Sequence, residues 1–420
     1  MIFKHEISAT ESRSWRLLRN LFLLGAIQMA CAASGSSEHF TQDRFVIGFW
    51  VPPRTQVDLP ARYQEIADAH FNLVVGNSGT NVLRQLQICE SLGLKALVEA
   101  DPKITAKSPA CWGYLLSDEP PTSAFASLAE QSEKIRQQHP GKFGYINLFP
   151  NYASTGQLGT ATYEDYVARF VDQVKPEVLS MDHYPLMRPD MDSRKAYCDN
   201  LETMRRHSLR AQIPFWNYFQ SMPFANHPDP TEAQIRWQIN ASLAYGAKGV
   251  LYFCYWTPGK GNGGTGEFPK GGAILTAEGR RTRHYDEARR INRELQHLGP
   301  TLMRLTSTGV HRIHTGQNPE NLPQECGLRS LCRIGDDPHS EFLVGTFVHA
   351  NGERAVLLVN DSTAFSAWTT VSWTTSSVRE VDKSTGRLEA VVDDSPELGE
   401  LQLSFGPGEG RLFLLPTKSR

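Results

Sequence analysis

The sequence predicts an α/β protein, a (β/α)8 TIM barrel followed by a small C-terminal antiparallel β-sandwich. Three observations carry this reading. Between residues 44 and 300, eight short apolar runs alternate with longer amphipathic stretches. Continuous apolar strands covered by helices make a parallel sheet, and eight such units close most naturally into a barrel. No Gly-rich phosphate loop follows any run, which argues against an open doubly wound sheet. Beyond residue 300 the texture changes to period-two alternation, with hairpin signals at Asn351-Gly352 and Thr385-Gly386.

In order, the strand candidates are "RFVIGFWVPP" (44–53), "FNLVVGNSG" (71–79), "LKALVEAD" (94–101), "WGYLLSDEP" (112–120), "FGYINLFPN" (143–151), "VLSMDHYPL" (178–186), "IPFWNYFQS" (213–221) and "GVLYFCYW" (249–256). Between them lie helical patterns such as "NVLRQLQICESLG", "AFASLAEQSEKIRQQH", "YEDYVARFVDQV" and "TEAQIRWQINASLAYG". The interval between the third and fourth strands is too short for a clear helix. The expected bounds are a barrel over 44–300 and a sandwich over 301–420, consistent with two cores in a chain of 420 residues.

Residues 1–32 read as a secretory signal. Arg16 and Arg19 precede the apolar run "LFLLGAIQMA", which is too short to span a bilayer, and Ala30-Cys31-Ala32 supplies small residues for cleavage. An uncleaved anchor or a misplaced start is the alternative. The expectation is an exported protein, periplasmic, extracellular or surface-anchored through Cys31, with no transmembrane segment in the mature chain. Loss of the leader takes the net charge from −2 to −4. With no run of lysine or arginine, nucleic acid is not an expected partner. Cys326 and Cys332 flank the loop "CGLRSLC" and are close enough in sequence to bridge in an exported protein, whereas Cys89, Cys111, Cys198 and Cys254 read as buried thiols. No His or Cys spacing resembles a zinc site, so neither metal nor cofactor is expected.

The stretch "WGYLLSDEPP" ends an apolar strand in adjacent acids. In a barrel the carboxyl ends of the strands face the active-site mouth, which places Asp118 and Glu119 where substrate arrives. The plainer reading is that Ser117 or Asp118 caps a helix beginning near Pro120. The other strand ends favour the first reading. They carry Trp50, Asn77, Glu99, Asn147, Asp182, His183, Tyr184, Asn217, Gln220 and Trp256. Carboxylates among aromatic and amide side chains suit a carbohydrate. Aromatic faces pack on pyranose rings, polar groups bond the hydroxyls, and a carboxyl pair can cleave an acetal. Phosphoryl chemistry would want basic residues or a Gly-rich loop at this rim.

The eight-unit barrel, the acid-Glu-Pro ending strand four, "LSMDHYPL", "PTEAQIRWQINASLAYGAKGVLYFCYWTP" and "GPGEGRLFLLP" together resemble bacterial glycoside hydrolases of the broad clan that contains the family 42 β-galactosidases. The resemblance covers most of residues 44–300 and implies an acid/base glutamate at the end of strand four, matched by Glu119. Asp118 stands where that clan has asparagine. The nucleophilic glutamate that the resemblance implies on strand seven is missing, since "FWNYFQSM" offers Gln220 and no acid.

Asp182 on strand six is the expected second carboxylate, a nucleophile at about 5 to 5.5 Å from Glu119 or a base for water at about 6.5 to 9.5 Å. Glu232 and Glu267 are alternatives, although Glu232 reads as a first-turn helix acid. Glu267 lies in the glycine-rich stretch "TPGKGNGGTGEFPKGGA", which has the character of a loop shaping the cleft. His183 and Tyr184 are expected to hold Asp182 or a substrate hydroxyl, and Trp256 to form the stacking floor. The competing expectation is a non-catalytic carbohydrate-binding protein on the same fold. A lyase would want a Schiff-base lysine at a strand end, whereas Lys95 and Lys248 lie at strand starts. The sequence sets no oligomeric state and no sugar.

Overall fold

Each apolar run becomes a strand of one closed parallel barrel: β1 Val46–Phe49, β2 Leu73–Val75, β3 Lys95–Val98, β4 Cys111–Asp118, β5 Phe143–Leu148, β6 Leu179–Asp182, β7 Phe215–Gln220 and β8 Gly249–Phe253. The ring closes where Val46 on β1 pairs with Gly249 on β8. The computed structural model describes residues 39–53, 58–188, 191–259, 272–314, 322–333, 341–394 and 401–416. The expected leader (1–32) and Glu267 lie outside the described residues.

The covering helices are α1 Leu59–Asp68, α2 Val82–Ser91, α3 Phe125–Gln138, α4 Tyr163–Val174, α5 Arg194–Ala211, α6 Glu232–Ala244 and α7 Arg283–Leu302. Between β3 and β4 there is one helical turn, Pro102–Thr105, whose Lys103 N–H is capped by the Asp101 side chain. No helix of the described residues is long and apolar enough to cross a membrane, and none of their His, Cys, Asp and Glu side chains cluster in threes fit for a metal ion.

Side chains of a strand alternate between the two faces, so the barrel holds two cores. Val46, Leu73, Leu97, Trp112, Phe143, Tyr145, Trp216, Tyr218 and Leu251 point to the axis and fill it. Their neighbours Ile47, Val74, Val98, Ile146, Met181, Phe219 and Val250 point outward against the helices. Trp216 is fully buried on the axis because β8 opens with glycine. A Cβ on Gly249 would stand 2.6 Å from the indole and 2.8 Å from Val46. The indole N–H donates to Gln42 at 2.9 Å, and Gln42 in turn donates to the Lys248 and Arg44 carbonyls, plugging the amino-terminal end.

After α7 the chain enters a sandwich built from β9 Leu305–His314, β10 Leu328–Arg333, β11 Glu341–His349, β12 Arg354–Asn360, β13 Ala367–Trp373, β14 Arg379–Val381, β15 Leu388–Ala390, β16 Leu401–Phe405 and β17 Gly410–Leu415. One sheet runs β9-β11-β12-β17-β14-β15 and the other β10-β13-β16. The larger sheet is apolar on both faces. Phe342, Val344, Val356, Leu358 and Phe413 meet the smaller sheet, while Leu343, Phe347, Ala355, Leu357, Leu412 and Leu414 join the barrel core.

Helix α6 lies between barrel and sheet, and residues 39–420 form one compact unit. Gln238 and Ser242 on α6 bond barrel residues Gln220 and Asn217. Trp237 and Asn240 bond Asp361 and Gly408 of the sandwich. The helix is therefore buried nearly all round, where an amphipathic pattern had been expected. Cys326 and Cys332 are unbonded. Cys326 is buried in the sandwich core, whereas Cys332 is exposed on β10, so their side chains do not meet.

Asp361 fastens the sandwich to the barrel. It is 1% exposed, accepts from the Trp237 indole at 2.7 Å and pairs with Arg312, while its backbone carbonyl accepts from Arg194. Burial pushes its carboxyl up, and the neighbouring Arg312 guanidinium opposes that shift. Asp361→Ala strands two donors and is expected to cost on the order of 3 kcal/mol. Urea denaturation against wild type measures this, and a change below about 0.5 kcal/mol contradicts the assignment.

Candidate active site

Alternation along β4 would put Leu115, Ser117 and Glu119 on one face, but a bulge intervenes. Leu115 pairs with Tyr145, Ser117 with Ile146 and Asp118 with Asn147, so one extra residue is absorbed between Leu115 and Ser117. Bulges of this kind re-aim side chains. Here Asp118 comes into line with the inward-facing Asn147 at the carboxyl-terminal mouth. Glu119 follows at φ 46°, in the left-handed region that non-glycine residues seldom occupy, with its N–H donating to the Asn147 carbonyl at 2.8 Å. The Pro120 carbonyl accepts from the Tyr166 hydroxyl at 2.7 Å, which anchors the turn. Neither Ser117 nor Asp118 caps a helix. The next turn, Thr122–Ala124, starts after Pro121 with no side-chain cap.

On β6 the alternation carries Ser180 and Asp182 inward. Asp182 is 8% exposed and accepts from Asn147 Nδ2 at 2.9 Å, with the Tyr184 hydroxyl nearby. The same Nδ2 donates to Asp118 at 3.2 Å. Asn147 Oδ1 accepts from the Ser180 hydroxyl at 3.0 Å, and Ser180 lies 2.7 Å from the Tyr145 hydroxyl. Glu119 has no hydrogen-bond donor to its carboxyl among the described residues.

All three carboxyls are pushed up. Burial and the charge of Asp118 raise Glu119 to about 7. Burial first, then the charges of Glu119 and Asp118, lifts Asp182 well above the ordinary carboxylate range, with the Tyr184 and Asn147 hydrogen bonds opposing. Asp118 is exposed at the mouth, yet the surrounding walls raise it too, against the pull of Asn147. Carboxyls that repel one another in a poorly hydrated cleft share protons near neutrality.

Aromatic rings wall the site. Trp50 reaches the axis from the end of β1, 5.7 Å from Tyr218 between centroids. Tyr184 packs on Phe224 at 5.2 Å and Phe253 at 5.1 Å. Tyr152, 57% exposed after β5, stands edge-on to His183 and senses the charges of Asp182 and Glu119. A separate cleft of about 830 Å³ opens at the opposite, amino-terminal end, lined by Gln42, Arg136, Glu177 and Lys248. Lys248 there donates to the Leu302 and Leu305 carbonyls, and the two acids that line it, Glu133 and Glu177, are both paired with Arg136.

The structure thus brings together Trp50, Asp118, Glu119, Asn147, Asp182 and Tyr184. Other candidates are corrected. Asn217 points outward, donating to the Tyr197 hydroxyl at 2.7 Å and Ser242 at 3.0 Å in the helix layer, as its place between inward Trp216 and Tyr218 requires. His183 also turns outward, where Asn200 holds its Nδ1 at 3.0 Å and burial lowers it to about 4. Trp256 is no stacking floor. It is 3% exposed behind β8, its N–H donates to the Ala277 carbonyl, the Arg62 guanidinium lies over one face, and Gly279 (φ +80°) leaves room for its ring.

Gln220 is fully buried, with its Nε2 donating to the Pro228 carbonyl at 2.7 Å. Asn77 is occupied as a clamp, donating to the Glu99 carbonyl and accepting from the Glu99 N–H, while the Glu99 residue itself is exposed. Glu232 is bound to Arg236 and Arg290 on the outer helices. Tyr145, Ser180 and Tyr152 were missed. The first two lie two residues before Asn147 and Asp182, so strand alternation points to them, whereas nothing local marks Tyr152.

No protein-family model matches the chain, and a search of curated proteins returns no match. Among solved structures it is similar to a β-galactosidase from the psychrophilic Marinomonas ef1, with 12% identity and TM-score 0.44 over 60% of this chain and 60% of that one. It is also similar to a family 39 glycoside hydrolase from the gut symbiont Bacteroides cellulosilyticus WH2, with 13% identity and TM-score 0.42 over 91% of this chain and 82% of the other. A third is the Bifidobacterium dentium β-glucuronidase complexed with coumarin-3-O-glucuronide, with 12% identity and TM-score 0.44 over 59% of this chain and 46% of the other. The chain thus spans less than two thirds of the first and under half of the third. At such identity and TM-score the likeness carries no argument, and the fold and the site stand on the chain's own residues.

The raised Glu119 has a consequence for stability. Below its ordinary value of 4.5 both folded and unfolded chains hold the proton; as pH climbs from there through about 7, only the unfolded chain readily ionises, and stability falls. Glu119→Gln removes this contribution. Its unfolding free energy is expected to drop less than that of wild type across that window, and parallel pH profiles of denaturation would contradict the assignment.

Proposed function

We propose that this chain is an exported glycoside hydrolase that cleaves O-glycosidic bonds of an oligo- or polysaccharide, with Glu119 as general acid and Asp182 as its carboxylate partner. The observation that carries the reading is the pair itself, two mutually repelling carboxyls from β4 and β6 at one aromatic-walled mouth, with Glu119 raised to about 7. An acid that keeps its proton near neutrality can deliver it to a leaving oxygen.

In this mechanism the Glu119 proton passes to the glycosidic oxygen as the bond from the anomeric carbon breaks. Positive charge then develops on the sugar ring, and the Asp182 carboxylate, with Asp118 beside it, stabilises that charge. Water supplies the hydroxyl of the product. Trp50, Tyr184, Phe224 and Phe253 offer faces and edges to the apolar sides of pyranose rings. Export rests on the composition of the leader, and it would put the enzyme where polysaccharides are met.

One observation favours the second reading, a carbohydrate-binding protein without turnover. The end of β7 offers Gln220 and no acid, and Gln220 is sealed beneath the Pro228 loop. Turnover on a panel of chromogenic glycosides and oligosaccharides separates the two. We expect Glu119→Gln and Asp182→Asn each to lower kcat by about 10²-fold or more while sugar binding persists. An unchanged rate in Glu119→Gln removes the catalytic assignment, and saturable binding with no turnover by wild type favours the binding protein.

A further inference from the structure

Three carboxyls meet at the mouth, and their hydrogen bonding is unequal. Asp118 and Asp182 each receive one of the two hydrogens of a single amide, Asn147 Nδ2, at 3.2 and 2.9 Å. The nearby Tyr184 hydroxyl also favours the charged form of Asp182. Glu119 receives none among the described residues, although the backbone N–H of Glu119 is tied to the Asn147 carbonyl. Asn147 is buried, 2% exposed, and directly opposite Asp118 in the strand pairing. Its amide cannot turn over cheaply. Ser180 donates to Oδ1 at 3.0 Å, and a flipped amide would aim that oxygen at two carboxylates.

We propose that Asn147 is a positioning residue that decides which of the three carboxyls carries the proton, holding Asp118 and Asp182 as carboxylates and leaving Glu119 as the acid. A donated N–H favours the charged form of a carboxyl, and a carboxyl without donors is the one most readily kept neutral. Asp182 is the more deeply buried, so burial alone would put the proton there. The hydrogen bond that Asn147 donates to Asp182, and that Glu119 lacks, opposes that preference. The ionised Asp118 then acts on Glu119 in turn by repulsion, reinforcing the choice. The other groups facing the three carboxyls are tyrosines. Tyr184, Tyr145, Tyr218 and Tyr163 sense Asp182, while Tyr152 and Tyr166 sense both Asp182 and Glu119. Their hydroxyls stay neutral throughout the relevant range, and burial raises each of them further.

The catalytic consequence rests on the glycosidase reading, but the protonation assignment does not. The test is therefore a direct titration of the carboxyl carbons by 13C NMR in the full chain with no sugar present. Wild type, Asn147→Ala and Ser180→Ala are compared, with Glu119→Gln and Asp182→Asn used to assign the signals. Wild type is expected to show Glu119 titrating highest of the three.

In Asn147→Ala, Asp182 should titrate about one pH unit higher, and Glu119 correspondingly lower as the repelling charges are neutralised. Ser180→Ala leaves both donors in place but frees the amide, and should move the same values in the same directions by less. It also keeps the test open if Asn147→Ala does not fold. If wild-type Asp182 titrates above Glu119, or neither variant moves either value, the proposal is wrong. Where turnover is found, the pH–rate bell of Asn147→Ala should narrow from both sides, whereas a purely structural role would lower its height without moving its limbs. Absence of turnover in wild type would count against the glycosidase reading alone, because the titration reads the proton without it.

Discussion

Closing eight strands into a ring forces every second side chain onto the axis, and most of this molecule follows from that parity. At the amino-terminal end the axis is filled by Trp216 under a glycine and plugged by Gln42. At the other end the same rows finish in Trp50, Asn147, Asp182 and Phe253. Strand β4 breaks step twice, once against β3 at Trp112 and once against β5 at Leu116, and the second bulge turns Asp118 rather than Ser117 toward the mouth. The second of these extra residues is therefore what assembles the acid cluster.

The cluster is costly for the fold. Each of the three acids is lifted by burial, and none has a basic side chain among its principal neighbours in the described residues. Elsewhere the same chain pairs its buried acids. Asp361 has Arg312, Glu287 has Arg283 and His284, and Glu177 has Arg136. The mouth departs from that habit and relies on amide and hydroxyl donors. A left-handed backbone at Glu119 adds to the cost, and such conformations persist where surrounding contacts hold them, here the Asn147 carbonyl on one side and Tyr166 on the other.

Much of the fold was legible in the sequence because its signals are periodic. The barrel and the sandwich appear as expected, and the short interval before β4 holds one turn of helix. Glu119 and Asp182 were legible as strand-end acids. Asn217, His183 and Trp256 were not rightly placed, because their residue types were weighed without their parity: Trp216 and Tyr218 face inward, so Asn217 between them cannot. The second bulge in β4 has no sequence signal, since two leucines and a serine suit either face. The pattern of α6 misled for a different reason. A helix packed on both sides needs no polar face, and Trp237 and Gln238, adjacent in sequence, serve opposite layers.

The larger sheet of the sandwich is covered on one side by the smaller sheet and on the other by α6 and its neighbours. During synthesis the barrel helices leave the ribosome before the strands that cover them. Until those strands have emerged, Trp237 has Tyr197 of the barrel against its ring at 5.4 Å but no partner for its indole N–H, because Asp361 is not yet made. The outer side of α6 is thus closed only by strands made after it, and the barrel's last layer is completed by the domain that follows it.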